Sequence, residues 1–154
     1  MNLLFDTNII LFIIRDKSSS KALLKLINPE EKSLFISIVS VAELYSIAFQ
    51  NRWNSMQLEK LEAFLNGIQI VMVDDFLTET YMQIDSFSQR KHPDFQTYSF
   101  TTPRNMGKND VWIAATASLL ELKLITTDMD FNHLANHFIN LQYYSADQIK
   151  ALIV

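Results

Sequence analysis

The sequence predicts an α/β domain with a mainly parallel central sheet of about five strands and helices on both faces of the sheet. Two observations lead to this prediction. Apolar segments of strand length alternate along the chain with segments whose apolar residues recur at helical spacing. No internal repeat and no linker interrupts the alternation, so we expect a single domain over residues 1–154.

Five short apolar segments have the length and composition of buried strands. The third of them is apolar except for Gln69, and a loop containing Asn28 and Pro29 precedes the second. The predicted strands cover residues 2–5, 34–38, 68–73, 123–126 and 140–143. Helical connections between consecutive strands favour parallel pairing through right-handed crossovers.

Most segments between these strands have helical spacing and recognisable helix ends. Ser18 to Ser20 offer caps for the second helix, Asn66 and Gly67 end another, and Ser145 caps the last. Helices are predicted over residues 7–15, 40–49, 55–66 and 110–120, with others after residue 20, from about residue 75, and after residue 145. Residues 89–108 are irregular, since they hold two of the three prolines and one of the two glycines.

Composition excludes several classes of protein. With 49% hydrophobic residues the chain has enough apolar surface to fold, and with no cysteine it has neither disulfides nor thiolate zinc sites. No run approaches the roughly 18 apolar residues that span a bilayer, and no secretion signal is evident, so we expect a cytoplasmic protein without a membrane segment. A net charge of -4 argues against binding nucleic acid through overall charge, but it leaves room for a local basic patch.

Four acidic residues follow predicted strands or begin the helices after them. Because the carboxyl ends of parallel strands meet at one edge of a sheet, we expect these side chains to converge there. The four, which we call the acidic quartet, are Asp6, Glu43, Asp110 and Asp128.

Converging carboxylates repel one another unless a cation binds between them. Asp110 in particular shares a helical face with apolar residues, where an unsatisfied carboxylate is costly. Oxygen ligands without cysteine suit Mg²⁺ or Mn²⁺, so the sequence predicts a divalent-metal site. Each acid alone also has a structural explanation: Asp6 as a helix cap, Asp110 as a dipole partner, Asp128 in an Asx-turn, and Glu43 in a capping box with Ser40.

Four blocks of sequence, each holding one acid of the quartet, extend together from Met1 to Phe131. The blocks are Leu3-Leu4-Phe5-Asp6-Thr7-Asn8, Ser40-Val41-Ala42-Glu43-Leu44, Asn109-Asp110-Val111-Trp112-Ile113-Ala114-Ala115-Thr116-Ala117 and Leu124-Ile125-Thr126-Thr127-Asp128-Met129-Asp130-Phe131. In this order and spacing the sequence resembles the PIN-domain ribonucleases, in particular the VapC-like toxins of bacterial type II toxin–antitoxin pairs.

This resemblance implies a three-layer α/β/α sandwich and an endoribonuclease that cleaves RNA phosphodiesters with Mg²⁺ or Mn²⁺. The acidic quartet matches the family's catalytic and metal-binding acids, with Asp6 and Asp110 assigned as direct ligands. Asp130 matches a supporting acid, and Thr7, Asn8 and Thr126 match polar positions around the site. A cognate antitoxin, which would block the site with its C-terminal segment, and a homodimer are the implied protein partners.

The RNA would need positive charge around an acidic site. The irregular segment supplies it through Arg90, Lys91, Arg104 and Lys108, and Lys108 lies nearest in sequence to Asp110. The stretch from Ser86 to Lys108, which holds these basic residues, also holds aromatic side chains that either stack on unpaired bases or complete the core: Phe87, Phe95, Tyr98 and Phe100. The segment from Asp75 to Lys108 is longer than the family pattern needs, so it leaves the substrate open.

Other interpretations remain open. A housekeeping or flap-type nuclease would use the same quartet, whereas a non-catalytic RNA-binding PIN domain is expected to lose acids. A phosphatase with an aspartyl nucleophile commonly has a second acid two residues after the first, where this chain has Asn8. His133 and His137 have the spacing of a helical metal pair, but without a third ligand we expect them to be cap or surface residues.

Overall fold

A five-stranded parallel sheet organises the computed structural model, which describes residues 1–15 and 17–153. The strand order is β3-β2-β1-β4-β5, so the first strand lies at the centre. The strands are β1 (Leu3–Phe5), β2 (Leu34–Ser37), β3 (Gln69–Val71), β4 (Lys123–Thr126) and β5 (Asn140–Tyr143). Phe5 is in register with Ile36 of β2 and Ile125 of β4, which aligns the carboxyl ends of the three central strands. The predicted strands are confirmed, although β3 is shorter than the apolar run from which it was predicted.

Six α-helices and two short 3₁₀ turns connect the strands in the described part of the chain, and a seventh helix follows β5. The helices are α1 (Thr7–Arg15), α2 (Lys17–Ile27), α3 (Ile38–Gln50), α4 (Ser55–Asn66), α5 (Thr78–Ser88), α6 (Lys108–Leu119) and α7 (Ala146–Ile153). The 3₁₀ turns cover Asp75–Leu77 and Met129–Leu134. Three helices begin earlier than predicted: α2 already at Lys17, before the serines proposed as its caps, and α3 and α6 at Ile38 and Lys108.

Side chains of the central strand alternate between two separate cores. Leu3 and Phe5 join a core formed mainly with α1, α2, α3, α4 and α7, whereas Leu4 points to the opposite core, formed with α5 and α6. Strand β4 repeats the alternation, with Ile125 in the first core and Leu124 in the second. Because both faces of the sheet are buried under helices, the three-layer α/β/α arrangement is confirmed. Among the described helices, none has the length and apolar character needed to cross a bilayer.

The aromatic residues of the irregular segment complete the second core. The ring of Phe87, which is only 1% exposed, lies within 5.5 Å, centroid to centroid, of the rings of Phe95, Tyr98, Phe100, His137 and Phe138. We call these six residues the aromatic cluster. Edge-on and tilted packing of this kind stabilises a core beyond the area that it buries. The sequence left open whether these aromatic side chains stack on bases or complete the core. Their contacts with one another show that they pack in the core.

We expect Phe87→Ala to lower the free energy of unfolding by about 3–5 kcal/mol, because it leaves a cavity at the centre of the aromatic cluster. Urea denaturation of the purified protein measures this change. Met82→Ala is the control, since Met82 is 58% exposed and its loss should change stability by less than about 0.5 kcal/mol. Equal losses for the two variants would contradict a structural role for the cluster.

Candidate active site

The acidic quartet lines one cavity of about 380 Å³ at the carboxyl edge of the sheet. Asp6 directly follows β1, and Asp128 follows β4 on the neighbouring strand. Glu43 lies in the second turn of α3, and Asp110 in the first turn of α6. The remaining lining residues are Thr7, Asn8, Ser46 and Ile47. The structure thus brings together four acids that come from distant parts of the chain.

Asp6 is the most deeply buried of these acids, with 4% of its surface exposed. Its Oδ1 accepts a hydrogen bond from the Thr7 amide at 2.7 Å, and its Oδ2 accepts one from the Thr126 hydroxyl at 2.7 Å. The Thr126 oxygen in turn accepts a hydrogen bond from the Asp128 amide at 2.9 Å, which connects two members of the quartet. Burial raises the pKa of Asp6 above its ordinary value, although the hydrogen bonds from Thr126 and Thr7 oppose the shift.

Glu43 is held by hydrogen-bond donors on both of its carboxylate oxygens. The Thr7 hydroxyl donates to Oε2 at 2.5 Å, and the Asn109 side-chain amide donates to Oε1 at 2.7 Å. The proposed capping box with Ser40 is absent: α3 begins at Ile38, and the Ser37 hydroxyl caps it by accepting from the Val39 amide. Sequence reasoning assigned no role to Asn109, although it precedes Asp110 directly.

Asp110 stands at the head of a helix whose next residues are almost all buried, including Val111, Ile113 and Ala114. Burial, and then the charges of Asp6 and the other neighbouring acids, raise the pKa of Asp110 to about 7. Gly107 is the N-cap of this helix, and a Cβ atom there would lie 3.2 Å from Asp110 Oδ2, close enough to press on the carboxylate. The site therefore contains a half-buried carboxyl group, that of Asp110, which titrates near neutral pH.

Asp128 combines a structural contact with its place in the cavity. Its Oδ1 accepts a hydrogen bond from the Asp130 amide at 2.8 Å and so begins the 3₁₀ turn over Met129–Leu134. This is the local turn that the sequence offered as the alternative explanation of Asp128. Asp130, the candidate supporting acid, is exposed and lines a neighbouring cavity rather than the acidic one.

The donor set of the acidic cavity suits a hydrated divalent cation. Within residues 1–15 and 17–153, no three acidic or histidine side chains are arranged as a complete metal site. Mg²⁺ is commonly held by one or two carboxylates and keeps several of its waters, so a complete protein cage is not required. Asp110 fits this role, since its carboxylate accepts no hydrogen bond from the described residues, and burial together with neighbouring negative charge raises its pKa.

The four candidate basic residues are exposed, and none is among the described residues that line the acidic cavity. Arg90 donates from Nη1 to the Thr101 carbonyl at 2.9 Å and lies over the Tyr98 ring, so it braces the loop. Arg104 lies over the Phe100 ring at 5.7 Å. Lys91 follows α5, and Lys108 is the first residue of α6, two positions before Asp110.

The two histidines do not form a metal pair. His133 is half-buried, with Nε2 2.7 Å from the Ser88 hydroxyl and its ring packed parallel to that of Phe87. The expectation of a cap or surface residue is therefore wrong for His133, because the irregular segment folds over it. Burial lowers its pKa. His137 is exposed, although its ring contacts the edge of the aromatic cluster.

Fold and site together define an α/β protein with a carboxylate-rich site at the carboxyl edge of a parallel sheet. The model of the PIN domain family matches residues 3–137. The chain therefore belongs to the PIN domain family, a family of nucleases. No curated protein gives a significant sequence match to the chain.

Several solved structures have the same fold. A chain of VapBC2 from Rickettsia felis, bound to a promoter DNA fragment, is 21% identical with a TM-score of 0.74 and covers 94% of this chain and 100% of its own. A toxin–antitoxin complex from Klebsiella pneumoniae gives 19% identity and a TM-score of 0.65 over 94% and 99% of the two chains. A chain of VapBC-1 from nontypeable Haemophilus influenzae is 20% identical with a TM-score of 0.71, and the match covers 93% of this chain and 98% of that chain.

We expect the metal-free protein to lose stability as the pH rises from about 4 through 7. The folded protein keeps protons on Asp110 and Asp6 at pH values where the unfolded chain has released them, so raising the pH favours unfolding. Urea denaturation in EDTA across this pH range measures the effect. In Asp110→Asn most of the decline should disappear, and a variant that keeps the full decline would show that other groups cause it.

Proposed function

We propose that this chain is a metal-dependent endoribonuclease and that it acts as the toxin of a type II toxin–antitoxin pair. The observation that carries the proposal is the meeting of the acidic quartet in one cavity at the carboxyl edge of the sheet. Membership of a nuclease family supports the nuclease, and the fold shared with chains of toxin–antitoxin complexes supports the toxin.

Asp6 and Asp110 would hold Mg²⁺ or Mn²⁺ directly, and Glu43 and Asp128 would hold its waters. Bound there, the ion would supply Lewis-acid polarisation of the phosphoryl oxygens and a water of lowered pKa. Asp6 suits direct binding because Thr126 and the Thr7 amide fix its orientation. For Asp110 the argument is its pKa of about 7, since burial and the neighbouring acids keep a proton there that a cation would displace.

Glu43 would orient the attacking water. Thr7 and Asn109 each donate to one of its oxygens, which fixes the carboxylate plane relative to the cavity. Each carboxylate oxygen has two lone pairs, so both keep the capacity to accept a further hydrogen bond from water. Activity should rise with pH as the site loses the proton that Asp110 retains near neutrality.

The RNA backbone would approach across Lys108 and Lys91. Lys108 begins the helix that carries Asp110, so its ammonium group would lie near a phosphate beside the scissile bond. Among the described residues Lys108 forms no salt bridge that RNA binding would have to break. Arg90 is less suited to this task, because its guanidinium already donates to Thr101.

A cognate antitoxin would cover the acidic cavity, and a second copy of the chain would form a homodimer. Helix α3, which carries Glu43 and Ile47 to the cavity, also exposes Tyr45 and Phe49, the latter by 87%. Met72 and Phe76 are likewise 61% and 78% exposed beyond β3. Exposed apolar side chains of this size suit coverage by another protein.

We expect Asp6→Asn and Asp110→Asn to abolish growth arrest on induction and RNA cleavage by the purified protein in Mg²⁺ or Mn²⁺. Each change removes a charge needed to bind the ion while it keeps the shape of the side chain. Asp147→Asn, on the exposed face of α7, is the control and should behave as the wild type. EDTA should stop cleavage by the wild type, and co-expression of the antitoxin encoded beside this chain should restore growth.

Three outcomes would contradict the proposal. Wild-type protein that leaves RNA uncut with both metals would refute the nuclease. Growth arrest that is equal for the wild type and Asp6→Asn would refute catalysis as its cause. Cleavage of RNA without any growth arrest would favour a housekeeping nuclease instead of a toxin.

We expect Asn109→Ala to reduce RNA cleavage by about 10–100-fold, the usual effect of losing a side chain that orients a metal-binding carboxylate. Asn109→Gln should recover part of the loss, since it restores a donor with a longer reach. Cleavage rates are measured against Mg²⁺ concentration, and an increase in the concentration needed for half-maximal activity separates positioning of Glu43 from a general loss of structure. Unchanged activity in Asn109→Ala would show that Thr7 alone positions Glu43.

A further inference from the structure

A second cavity, of about 520 Å³, lies between the loop that precedes α6 and the 3₁₀ turn over Met129–Leu134. We call it the flank pocket. The residues that line the flank pocket include Phe100, Arg104, Asn105, Met106, Met129 and Asn132, together with Asp130 and His133. Nothing in the chemistry described so far uses this cavity.

Both walls of the flank pocket continue directly into the acidic site. On one side, Met129 follows Asp128, and the Asp130 amide donates to Asp128 Oδ1 at 2.8 Å. On the other side, Asn105 and Met106 precede Gly107, where an added Cβ atom would lie 3.2 Å from Asp110 Oδ2. A ligand in the flank pocket would therefore contact the two segments that position Asp110 and Asp128.

The walls of the pocket combine an apolar surface with hydrogen-bonding amides. Phe100 and Met106 supply apolar surface, and Met129 adds a thioether side chain that is 64% exposed. The Arg104 guanidinium lies 5.7 Å from the centroid of the Phe100 ring, and because Arg104 is exposed, its planar group is accessible to a base. Asn105 and Asn132 each offer both a donor and an acceptor.

These features fit an unpaired nucleobase. Proteins read single-stranded RNA by stacking splayed bases on aromatic rings or arginine planes and by hydrogen bonds to base edges. A base in a duplex offers neither face, because it is stacked and paired. The walls carry one positive group, Arg104, and one negative group, Asp130, so the pocket suits a neutral heterocycle better than a multiply charged ligand.

We propose that the flank pocket binds an unpaired nucleotide beside the scissile phosphate and so determines which RNA sequence is cut. This inference rests on the proposed nuclease function. It assigns the choice of sequence to Met129, Asn105 and Asn132, and it leaves the hydrolysis to the acidic quartet.

The location of the base is tested by photocrosslinking in EDTA, which stops cleavage. The probes are random single-stranded RNAs that contain 4-thiouridine or 6-thioguanosine, and the crosslinked peptides are identified by mass spectrometry. We expect crosslinks in residues 99–106 and 129–133. Paired duplexes that carry the same probes should crosslink there at least about tenfold less.

The effect on sequence choice is tested by cutting a random RNA pool and sequencing the ends. Met129→Ala and Asn132→Ala should weaken the base preference beside the cut by about tenfold, because each removes a contact to the base. They should raise KM more than they lower kcat, since neither residue lines the acidic cavity. Met56→Ala and Asn66→Ala are matched controls, because these exposed residues lie on α4, far from both cavities. The controls should keep the wild-type preference.

The results separate this inference from the proposed function. If the protein cleaves RNA but crosslinks form elsewhere, or both pocket variants keep the wild-type base preference, the flank pocket is not the nucleotide site. These results would not affect the proposed nuclease function. Crosslinks in the flank pocket without cleavage by the wild type would overturn the nuclease and support the nucleotide site. The absence of any crosslink would overturn the inference.

Discussion

The burial of neighbouring carboxylates in one cavity is the constraint on which this structure depends. Burial and neighbouring acids leave Asp110 with a pKa of about 7, so the metal-free site keeps a proton. Hydrogen-bond donors stabilise the charge on the other acids: the Thr126 hydroxyl donates to Asp6, and the Asn109 side-chain amide donates to Glu43. A cation bound between these acids, as proposed, would relieve both the burial of their charge and their mutual repulsion.

The strand order explains why the acids meet. Connections proceed outwards from β1 through β2 to β3, and then return to the other side of β1 for β4 and β5. The order in which strands are added to the sheet therefore reverses between β1 and β4. At such a switch point a crevice forms at the carboxyl ends of the strands. Asp6 and Asp128 follow these two strands. Asp110 joins them because α6 packs across the sheet with its small buried alanines.

The sequence was informative where one physical effect dominates. Short, mainly apolar segments predicted all five strands, and the position of Asp6 after the first strand predicted its place at the carboxyl edge. Contacts that depend on side-chain direction were not accessible. The hydrogen bond from Asn109 to Glu43 joins residues 66 positions apart and requires α6 to begin at Lys108. The aromatic residues of the irregular segment were ambiguous, because packing and base stacking favour the same side chains.

Asp128 shows that a local structural contact and a place in the site are compatible. One of its oxygens accepts the Asp130 amide and begins the 3₁₀ turn, while the residue also lines the acidic cavity. The same turn forms a wall of the flank pocket, so the conformation of residues 129–134 affects both cavities. An asparagine at this position keeps the accepting oxygen and removes only the charge, whereas an alanine removes both. Amide substitutions are therefore the ones that separate the electrostatic contribution of a quartet member from its contribution to the local fold.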